Sequence, residues 1–351
     1  MTTRCLFTCI ILFLMASLCA CTTTTSTPIP PTPTLPPLNV TFELGGQVFS
    51  FNKPDLMKTA KMTWVKRQVT YDLAQGANTL ASMIQDAHTK SFKILLNIVG
   101  DPAAMGTDAT AYNATFAAYL GAVAALNPDA IQVWNEPNID RQWPAGKISG
   151  NSYTDMLKAA YTAIKAANAN VMVLSAAPAP TGFFSGTCTA NGCDDNVFIG
   201  QMAAAGAEAF LDCVGIHYNE GILSPDATSG DPRGNPNHYS RYYARMVDLY
   251  ARTFPTKPLC FDELGYLTAE GYDPLPAGFD WAANVTIQNQ ADWLARAASL
   301  SKQGKRVRLM VVWNVDSTIY AADPQAGYAI VRRDGSCPAC TKLGAAMNSA
   351  G

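Results

Sequence analysis

The stretch WNEPN at residues 134–138 and the stretch FDELG at residues 261–265 decide the fold prediction. Each follows a short apolar run, at residues 130–133 in the first case and 258–260 in the second. A short apolar run bounded by turn residues is typical of a strand in a buried parallel sheet. Each stretch therefore places a glutamate at the carboxyl end of a strand, where parallel α/β sheets build their sites.

The chain has only six glutamates, and two of them, Glu136 and Glu263, stand at these strand ends. A pair of carboxylates across a cleft is what a glycosidase uses, one as acid/base and one as nucleophile. Either glutamate alone could instead cap a following helix or pair with a neighbouring cation. Their occurrence together at two strand ends favours the catalytic interpretation.

Six further apolar runs predict strands at residues 40–48, 62–69, 93–99, 171–175, 212–216 and 307–313. Helical patterns separate them, at residues 55–60, 80–87, 110–126, 152–168, 197–205, 239–253 and 286–303. Eight strands alternating with helices is the count of a closed (β/α)8 TIM barrel, here a single domain over residues 39–351. An open doubly wound sheet is the alternative. It would carry a glycine-rich phosphate loop after the first strand, whereas Gly45 and Gly46 lie inside that strand.

Charged residues make up 15% of the 351-residue chain, and the formal net charge is −2. This balance does not indicate binding to nucleic acid or to an anionic membrane surface. The only three histidines, His88, His217 and His238, are far apart in the sequence and form no ligand cluster. We therefore expect no metal and no other cofactor, and we expect a monomer with a neutral, polar partner.

The pattern of the N-terminal residues predicts an export signal. Arg4 precedes an apolar core that is too short to span a membrane, and small residues lead to Cys21. Leu18 three places before Cys21 is similar to a bacterial lipoprotein cleavage box, which would make Cys21 the lipidated first residue; ordinary secretory cleavage stays open. Residues 22–38 are rich in Thr, Ser and Pro and predict an extended tether. The expected location is extracellular or at the cell surface, with membrane contact only through the lipid.

The cysteines agree with an oxidising compartment. Cys188 and Cys193 stand close together in a loop-like segment, and so do Cys337 and Cys340, so each pair can close a local disulfide. A zinc site made from these four is the alternative, although no histidine lies near them. Two more cysteines, at positions 213 and 260, fall in predicted strands, and we expect buried thiols there, near one another.

The position of the Asn-Glu-Pro motif at the end of strand four, together with Glu263 at the end of strand seven, resembles glycoside hydrolase clan A. These are retaining (β/α)8 glycosidases, and the sequence is most similar to the cellulase-type families 5 and 39. The resemblance covers residues 40–314. It implies that Glu136 is the general acid/base, that Glu263 is the nucleophile, and that Asn135 holds the sugar 2-hydroxyl where the bond is cleaved.

The same resemblance implies further substrate-binding residues. His217 and Tyr218 end strand six, and their adjacency leaves open which of them faces the nucleophile. Trp313 ends strand eight, where its flat ring would be a platform for the apolar face of a sugar. Lys66 and Arg67 compete for the place of a basic residue beside the nucleophile, because strand alternation turns only one of them inward.

The function expected from the sequence is hydrolysis of β-linked plant or microbial polysaccharide or oligosaccharide by double displacement. Retaining hydrolysis needs carboxyl groups ~5–5.5 Å apart, which strand ends across a barrel mouth can supply. Two alternatives stay open. A transglycosylase would use the same covalent intermediate, and a non-catalytic carbohydrate-binding barrel lipoprotein would use the same fold. The sequence leaves the sugar, the linkage and endo or exo action undetermined.

Overall fold

The computed structural model describes residues 35–349, which form eight strands and ten α-helices. The strands are β1 (Glu43–Gln47), β2 (Trp64–Thr70), β3 (Lys93–Val99), β4 (Ala130–Val133), β5 (Met172–Ser175), β6 (Val214–Tyr218), β7 (Leu259–Leu264) and β8 (Val307–Val312). The helices are α1 (Pro54–Thr59), α2 (Ala81–Thr89), α3 (Pro102–Thr107), α4 (Ala109–Ala124), α5 (Gly150–Ala167), α6 (Asp195–Ala204), α7 (Tyr243–Thr253), α8 (Ile287–Gly304), α9 (Gln325–Tyr328) and α10 (Pro338–Asn348).

The strands form one parallel sheet in the order β5-β4-β3-β2-β1-β8-β7-β6. The two end strands approach each other through a parallel bridge between Leu174 and Cys213, and Ser175 N donates to Cys213 O at 3.2 Å. The sheet is therefore a nearly closed barrel with helices between its strands. The prediction of a (β/α)8 TIM barrel is confirmed, and the open doubly wound sheet is excluded.

An apolar layer fills the barrel interior, contributed by inward-facing residues of the strands. Its members are Trp64, Leu95, Ala130, Met172, Leu174, Cys213, Cys260, Leu309 and Val311. Gly45 of β1 leaves room for this layer, because a Cβ there would lie 2.7 Å from Trp64 Cβ. Close packing of this layer makes the barrel a solid core rather than a pore.

Three disulfides lie within residues 35–349. Those that close the local loops at Cys188–Cys193 and Cys337–Cys340 confirm the sequence prediction and exclude zinc bound by these four thiolates. The expectation of free buried thiols at Cys213 and Cys260 is wrong, because they form a disulfide with an S–S distance of 2.03 Å. Cys213 directly precedes β6 and Cys260 lies in the neighbouring β7, and both side chains face the barrel interior, so their sulfurs meet.

Some element boundaries in the structure differ from the predicted ones. β6 begins at Val214 rather than Asp212, β7 continues past Glu263 to Leu264, and the second pair of local cysteines lies at the start of α10, an element the patterns did not predict. The predicted signal, Cys21 and the tether up to residue 34 lie outside the described residues. Within residues 35–349, no helix is long and apolar enough to cross a membrane.

Candidate active site

A bulge in β7 directs two consecutive carboxylate side chains toward the mouth of the barrel. Ile216 pairs with Phe261 and the next residue, His217, pairs with Glu263, so Asp262 is an extra residue in β7. The register against β8 shifts in the same place. Strict alternation would send Asp262 and Glu263 to opposite faces, whereas a bulge re-aims one of them. Both side chains contact Lys66, which identifies them as neighbours on the inner face.

Lys66 forms the floor of the site from β2. Its Nζ donates to Asp262 Oδ2 at 3.2 Å and to Glu263 Oε1 at 3.0 Å, and its side chain is completely buried. Burial by itself would lower the pKa of Lys66, but the charges of Glu263 and Asp262 outweigh burial and raise the pKa above its usual value. Lys66 is therefore a fixed positive charge beneath both carboxylates.

His217 lies between the two predicted catalytic glutamates. Its Nδ1 is 3.2 Å from Glu136 Oε1, its Nε2 is 3.1 Å from Asp262 Oδ2, and the same Nε2 is 3.7 Å from Glu263 Oε2. Burial lowers the pKa of His217, but the charges of Glu263 and Asp262 and the hydrogen bonds to Asp262 and Glu136 raise it to about 10. Both ring nitrogens then donate, each to a carboxylate oxygen.

The Glu136 carboxylate receives positive charge from two sides. One oxygen contacts His217, and the other accepts from Arg141 Nη2 at 3.2 Å. Burial raises the pKa of Glu136, yet His217 and then Arg141 hold it below its usual value. Burial and a nearby negative nucleophile would together keep a catalytic acid protonated. In the structure the intervening imidazolium reverses that balance.

The backbone at the end of β4 turns sharply to present Glu136. Trp134 has φ 77° and Glu136 has φ 44°, both in the left-handed region that non-glycine residues rarely adopt. The Trp134 ring is fully buried and its Nε1 donates to Gln142 O at 2.7 Å. Asn97 of β3 donates to Trp134 O at 2.8 Å. The surrounding packing therefore holds a backbone that costs ~1–3 kcal/mol per such residue.

A cleft of 990 Å³ opens above this charged floor at the carboxyl ends of the strands. Asn135, Trp313 and Asn219 line it together with both glutamates. Asn219 Nδ2 donates to Glu263 Oε2 at 3.1 Å. The buried Oδ1 atoms of Asn135 and Asn219 have no hydrogen-bond partner within the described part of the chain.

Four sequence-predicted residues come together here with the two glutamates: Asn135, His217, Lys66 and Trp313. Trp313 is half-buried at the cleft wall, where it meets Phe49 edge-on with ring centroids 6.1 Å apart. Tyr218 does not reach the cleft. It is buried on the outer side of β6, where its ring packs against Tyr243 and Tyr266.

Arg67 is the second predicted residue that lies elsewhere. Alternation along β2 turns its neighbour Lys66 into the barrel, so the half-buried Arg67 faces the opposite way. Two loop residues of the cleft, Arg141 and Phe183, carried no sequence signal. Asp262 was visible beside Glu263, but only the bulge shows that it points inward.

Within residues 35–349, one group of side chains that could hold a metal ion contains a single histidine, His217. Ligand atoms of His217, Asp262 and Glu263 lie within 4.8 Å of one another. Lys66 Nζ, however, lies within hydrogen-bond distance of both carboxylates. The ammonium group already supplies the positive charge that two adjacent carboxylates require, so the arrangement is satisfied by protein groups.

No protein-family model matches the sequence, and a search of the curated proteins gives no match. The fold and the position of the site at the strand ends define a (β/α)8 barrel with its charged cleft at the carboxyl ends of the strands. Among solved structures, the chain is similar to a family 39 glycoside hydrolase from the gut symbiont Bacteroides cellulosilyticus WH2, with 15% identity and a TM-score of 0.60. The match covers 90% of this chain and 65% of that chain.

Two further solved structures share the barrel. A GH5-4 broad specificity endoglucanase from Clostridium longisporum has 12% identity and a TM-score of 0.56, over 89% of this chain and 99% of that chain. An endo-1,4-beta-mannanase from Rhizomucor miehei has 12% identity and a TM-score of 0.54, over 88% of this chain and 95% of that chain. At these identities the comparisons show a common fold.

Proposed function

We propose that this protein is a retaining glycoside hydrolase acting on β-linked polysaccharide or oligosaccharide. The observation that carries the proposal is the bridging position of His217, which contacts Glu136 through Nδ1 and Glu263 through Nε2 at one strand-end cleft. Because both glutamates contact the same imidazole ring, both carboxylates lie at the same cleft. The solved structures of similar fold include a family 39 glycoside hydrolase and an endoglucanase, which supports the same class.

In the first step, a Glu263 oxygen attacks the anomeric carbon while Glu136 gives a proton to the departing glycosidic oxygen. The bond to the leaving group breaks, and a glycosyl ester of Glu263 forms. In the second step, Glu136 takes a proton from a water molecule, whose oxygen attacks the anomeric carbon and releases Glu263. Two inversions at the anomeric carbon give a product with retained configuration.

The proton for the first step resides on the Glu136–His217 pair. With the pKa of Glu136 lowered and that of His217 raised, the imidazolium holds this proton before substrate binds. The 3.2 Å contact between Nδ1 and Oε1 is the path by which it reaches Glu136. A bound sugar that excludes water and displaces Arg141 from Glu136 would favour that transfer, because the carboxylate would lose a cationic partner.

The remaining cleft residues have roles in binding sugar. We infer that Asn135, which lines the cleft beside Glu136, binds the 2-hydroxyl of the sugar at the cleavage point. Trp313 offers its ring to the apolar face of the same sugar. The volume of 990 Å³ is at the upper end of the roughly 300–1,000 Å³ typical of small-molecule sites, which favours more than one sugar residue.

The experiment that tests this function is incubation with β-glucan, xylan and mannan, followed by NMR of the first-formed reducing end. We expect hydrolysis of at least one polymer and a first anomer of retained, β configuration. An inverted first anomer would overturn the double displacement. Transfer of sugar to added acceptors with little hydrolysis would favour the transglycosylase, and binding with no bond cleavage would favour the non-catalytic barrel.

We further propose that the protein works outside the cytoplasm, anchored by a lipid on Cys21 and held away from the membrane by the tether of residues 22–38. The supporting observation is the presence of three disulfides within residues 35–349, since disulfides persist in oxidising compartments. A polymer outside the cell is the substrate that such a location would supply.

A further inference from the structure

The cleft has an exposed aromatic side chain that the proposed mechanism does not use. Phe183, in the loop between β5 and α6, lines the cleft and is 74% exposed, more than any other large hydrophobic residue described in 35–349. An aromatic ring exposed to water does not gain the favourable free energy that burial of apolar surface provides. A ligand that covers the ring in the cleft would recover part of it.

The loop that holds Phe183 is braced. Cys188 and Cys193 close it by a disulfide, and the Asp194 carboxylate accepts from Phe184 N at 3.0 Å and from Gly186 N at 2.6 Å. Phe184 packs on Gly192 so closely that a Cβ there would lie 2.0 Å from the ring. A braced loop presents Phe183 to the cleft with little loss of conformational freedom on binding.

The loop of Phe183 is hydrogen-bonded to the segment that contains Glu136. Asn138, three positions from Asn135, donates through Nδ2 to Ala179 O and to Cys193 O, each at 3.0 Å, and its Oδ1 accepts from Ala179 N at 2.8 Å. Its main-chain oxygen accepts from Cys193 N at 2.8 Å. Phe183 is therefore held beside the loop of Glu136, whereas Trp313 follows β8, next to the strand of Glu263.

We propose that Phe183 is the stacking platform of a subsite for the sugar on the leaving-group side of the cleaved bond. The inference rests on the proposed function: the acid must meet the departing oxygen, so the leaving sugar lies on the Glu136 side of the cleft. Trp313 serves the sugar that becomes bonded to Glu263. The substrate recognised is thus a chain with a pyranose on each side of the bond, rather than a glycoside of a small alcohol.

The test compares a substrate that has a sugar on the leaving side with one that has none. Wild-type protein and Phe183→Ala are assayed on cellotetraose, xylotetraose and mannotetraose, and on the β-glycosyl fluoride of whichever sugar is cleaved. Fluoride is a single atom and occupies no sugar subsite. We expect Phe183→Ala to lower kcat/KM on the tetrasaccharide about tenfold, as loss of an aromatic contact would, and to change kcat/KM on the fluoride less than about twofold.

Three further variants sharpen the comparison. Phe183→Tyr keeps the ring and should retain tetrasaccharide activity, and Leu73→Ala, an exposed residue of another loop (65% exposed), should leave both substrates unaffected. The double variant Cys188→Ala/Cys193→Ala loosens the loop and should lower only tetrasaccharide activity. Equal losses on both substrates, or no loss with Phe183→Ala, would overturn the inference alone. Absence of cleavage by wild-type protein would overturn the proposed function as well.

Discussion

The His217 imidazole donates from Nε2 to Asp262 Oδ2 over 3.1 Å, and both side chains are completely buried. Asp262 sits in β7 next to the proposed nucleophile and on the side of His217 opposite to Glu136. It therefore stabilises the imidazolium to which the proposed mechanism assigns the proton for Glu136. Its own pKa, which burial alone would raise, is held below the usual value by Lys66 and His217.

The first prediction concerns this pair. Asp262→Asn removes one of the charges that raise the pKa of His217 from 6.5 to about 10, so the shared proton is lost at lower pH. The alkaline limb of the kcat/KM–pH profile should move down by about one pH unit or more. The control is Asp129→Asn, which breaks the exposed His88–Asp129 pair (2.8 Å) and should leave the profile unchanged. An unmoved limb in Asp262→Asn would contradict the role given to Asp262.

The shifted pKa values of His217 and Asp262 also make the free energy of unfolding depend on pH. The folded pKa of His217 lies above its unfolded value, so its stabilising contribution is complete below pH 6.5 and is lost as pH rises toward about 10. The folded pKa of Asp262 lies below its unfolded value of 3.8, so its contribution is present above pH 3.8 and is lost as pH falls below it. Urea unfolding at a series of pH values should show both declines.

The second prediction separates the two glutamates. Glu263→Gln has no nucleophile and should lose activity on every substrate, by at least about a thousandfold. Glu136→Gln should lose about 10²–10⁴-fold on polysaccharide. On a dinitrophenyl glycoside, whose leaving group needs no proton, it should show a burst followed by slow turnover. Added azide should rescue it with a product of retained configuration. Azide rescue of Glu263→Gln with an inverted product would confirm the nucleophile, and rescue patterns the other way round would exchange the assignments.

The third prediction concerns the floor of the site. Lys66→Met leaves Asp262 and Glu263 buried and adjacent with His217 as their one remaining cation, and breaking a buried ion pair costs about 3–5 kcal/mol. The free energy of unfolding should fall by that amount at pH 7. Lys342→Met is the matched control. Lys342 forms a 2.8 Å ion pair with Asp292 that is about half exposed, so its loss should lower the free energy of unfolding by less than about 1 kcal/mol. Equal effects of the two substitutions would refute the argument.

The fourth prediction compares two disulfides. Cys213 and Cys260 are 47 positions apart, and the loop-entropy relation gives their bridge about 4 kcal/mol, against about 2 kcal/mol for Cys337 and Cys340, 3 positions apart. Replacing Cys213 and Cys260 by alanine should lower the free energy of unfolding more than replacing Cys337 and Cys340, as measured with guanidinium chloride. Thiol labelling of the unreduced, denatured wild-type protein checks the premise, since these four cysteines should not react.

The fifth prediction concerns export. The mature chain should begin at Cys21 with a covalent lipid, because the apolar core of residues 10–15 and the small residues before Cys21 fit a lipoprotein signal. Mass spectrometry of the protein from its native membrane measures the first residue and the added mass. A soluble product that starts at another residue would refute the anchor and leave ordinary secretion.

The sequence predicted the barrel because eight apolar runs each end in turn or polar residues, a signal that is local. Which side chains enter the site depends on the register between neighbouring strands, and no local sequence pattern determines that register. Nothing in the FDELG stretch reveals the bulge that turns Asp262 inward beside Glu263. The bond between the cysteines of β6 and β7 likewise depends on which residues of neighbouring strands share a layer.

Loop residues were the least predictable part of the site. Arg141 reaches Glu136 from an irregular segment whose path depends on hydrogen bonds to the next loop, such as Asp140 N to Asn191 O at 3.0 Å. Alternation along β2 could say that one of Lys66 and Arg67 faces inward but not which one, because the register of β2 against its neighbours fixes the choice.

The left-handed backbone at Trp134 and Glu136 has a consequence for how this chain can change. Glycine tolerates that conformation without strain, so a glycine at position 136 would relieve the backbone and remove the acid at once. Selection for thermal robustness and selection for turnover therefore favour different residues at one position. A library screened only for survival of heat would enrich inactive proteins there, so improvement of this scaffold has to couple every stability screen to an assay of sugar release.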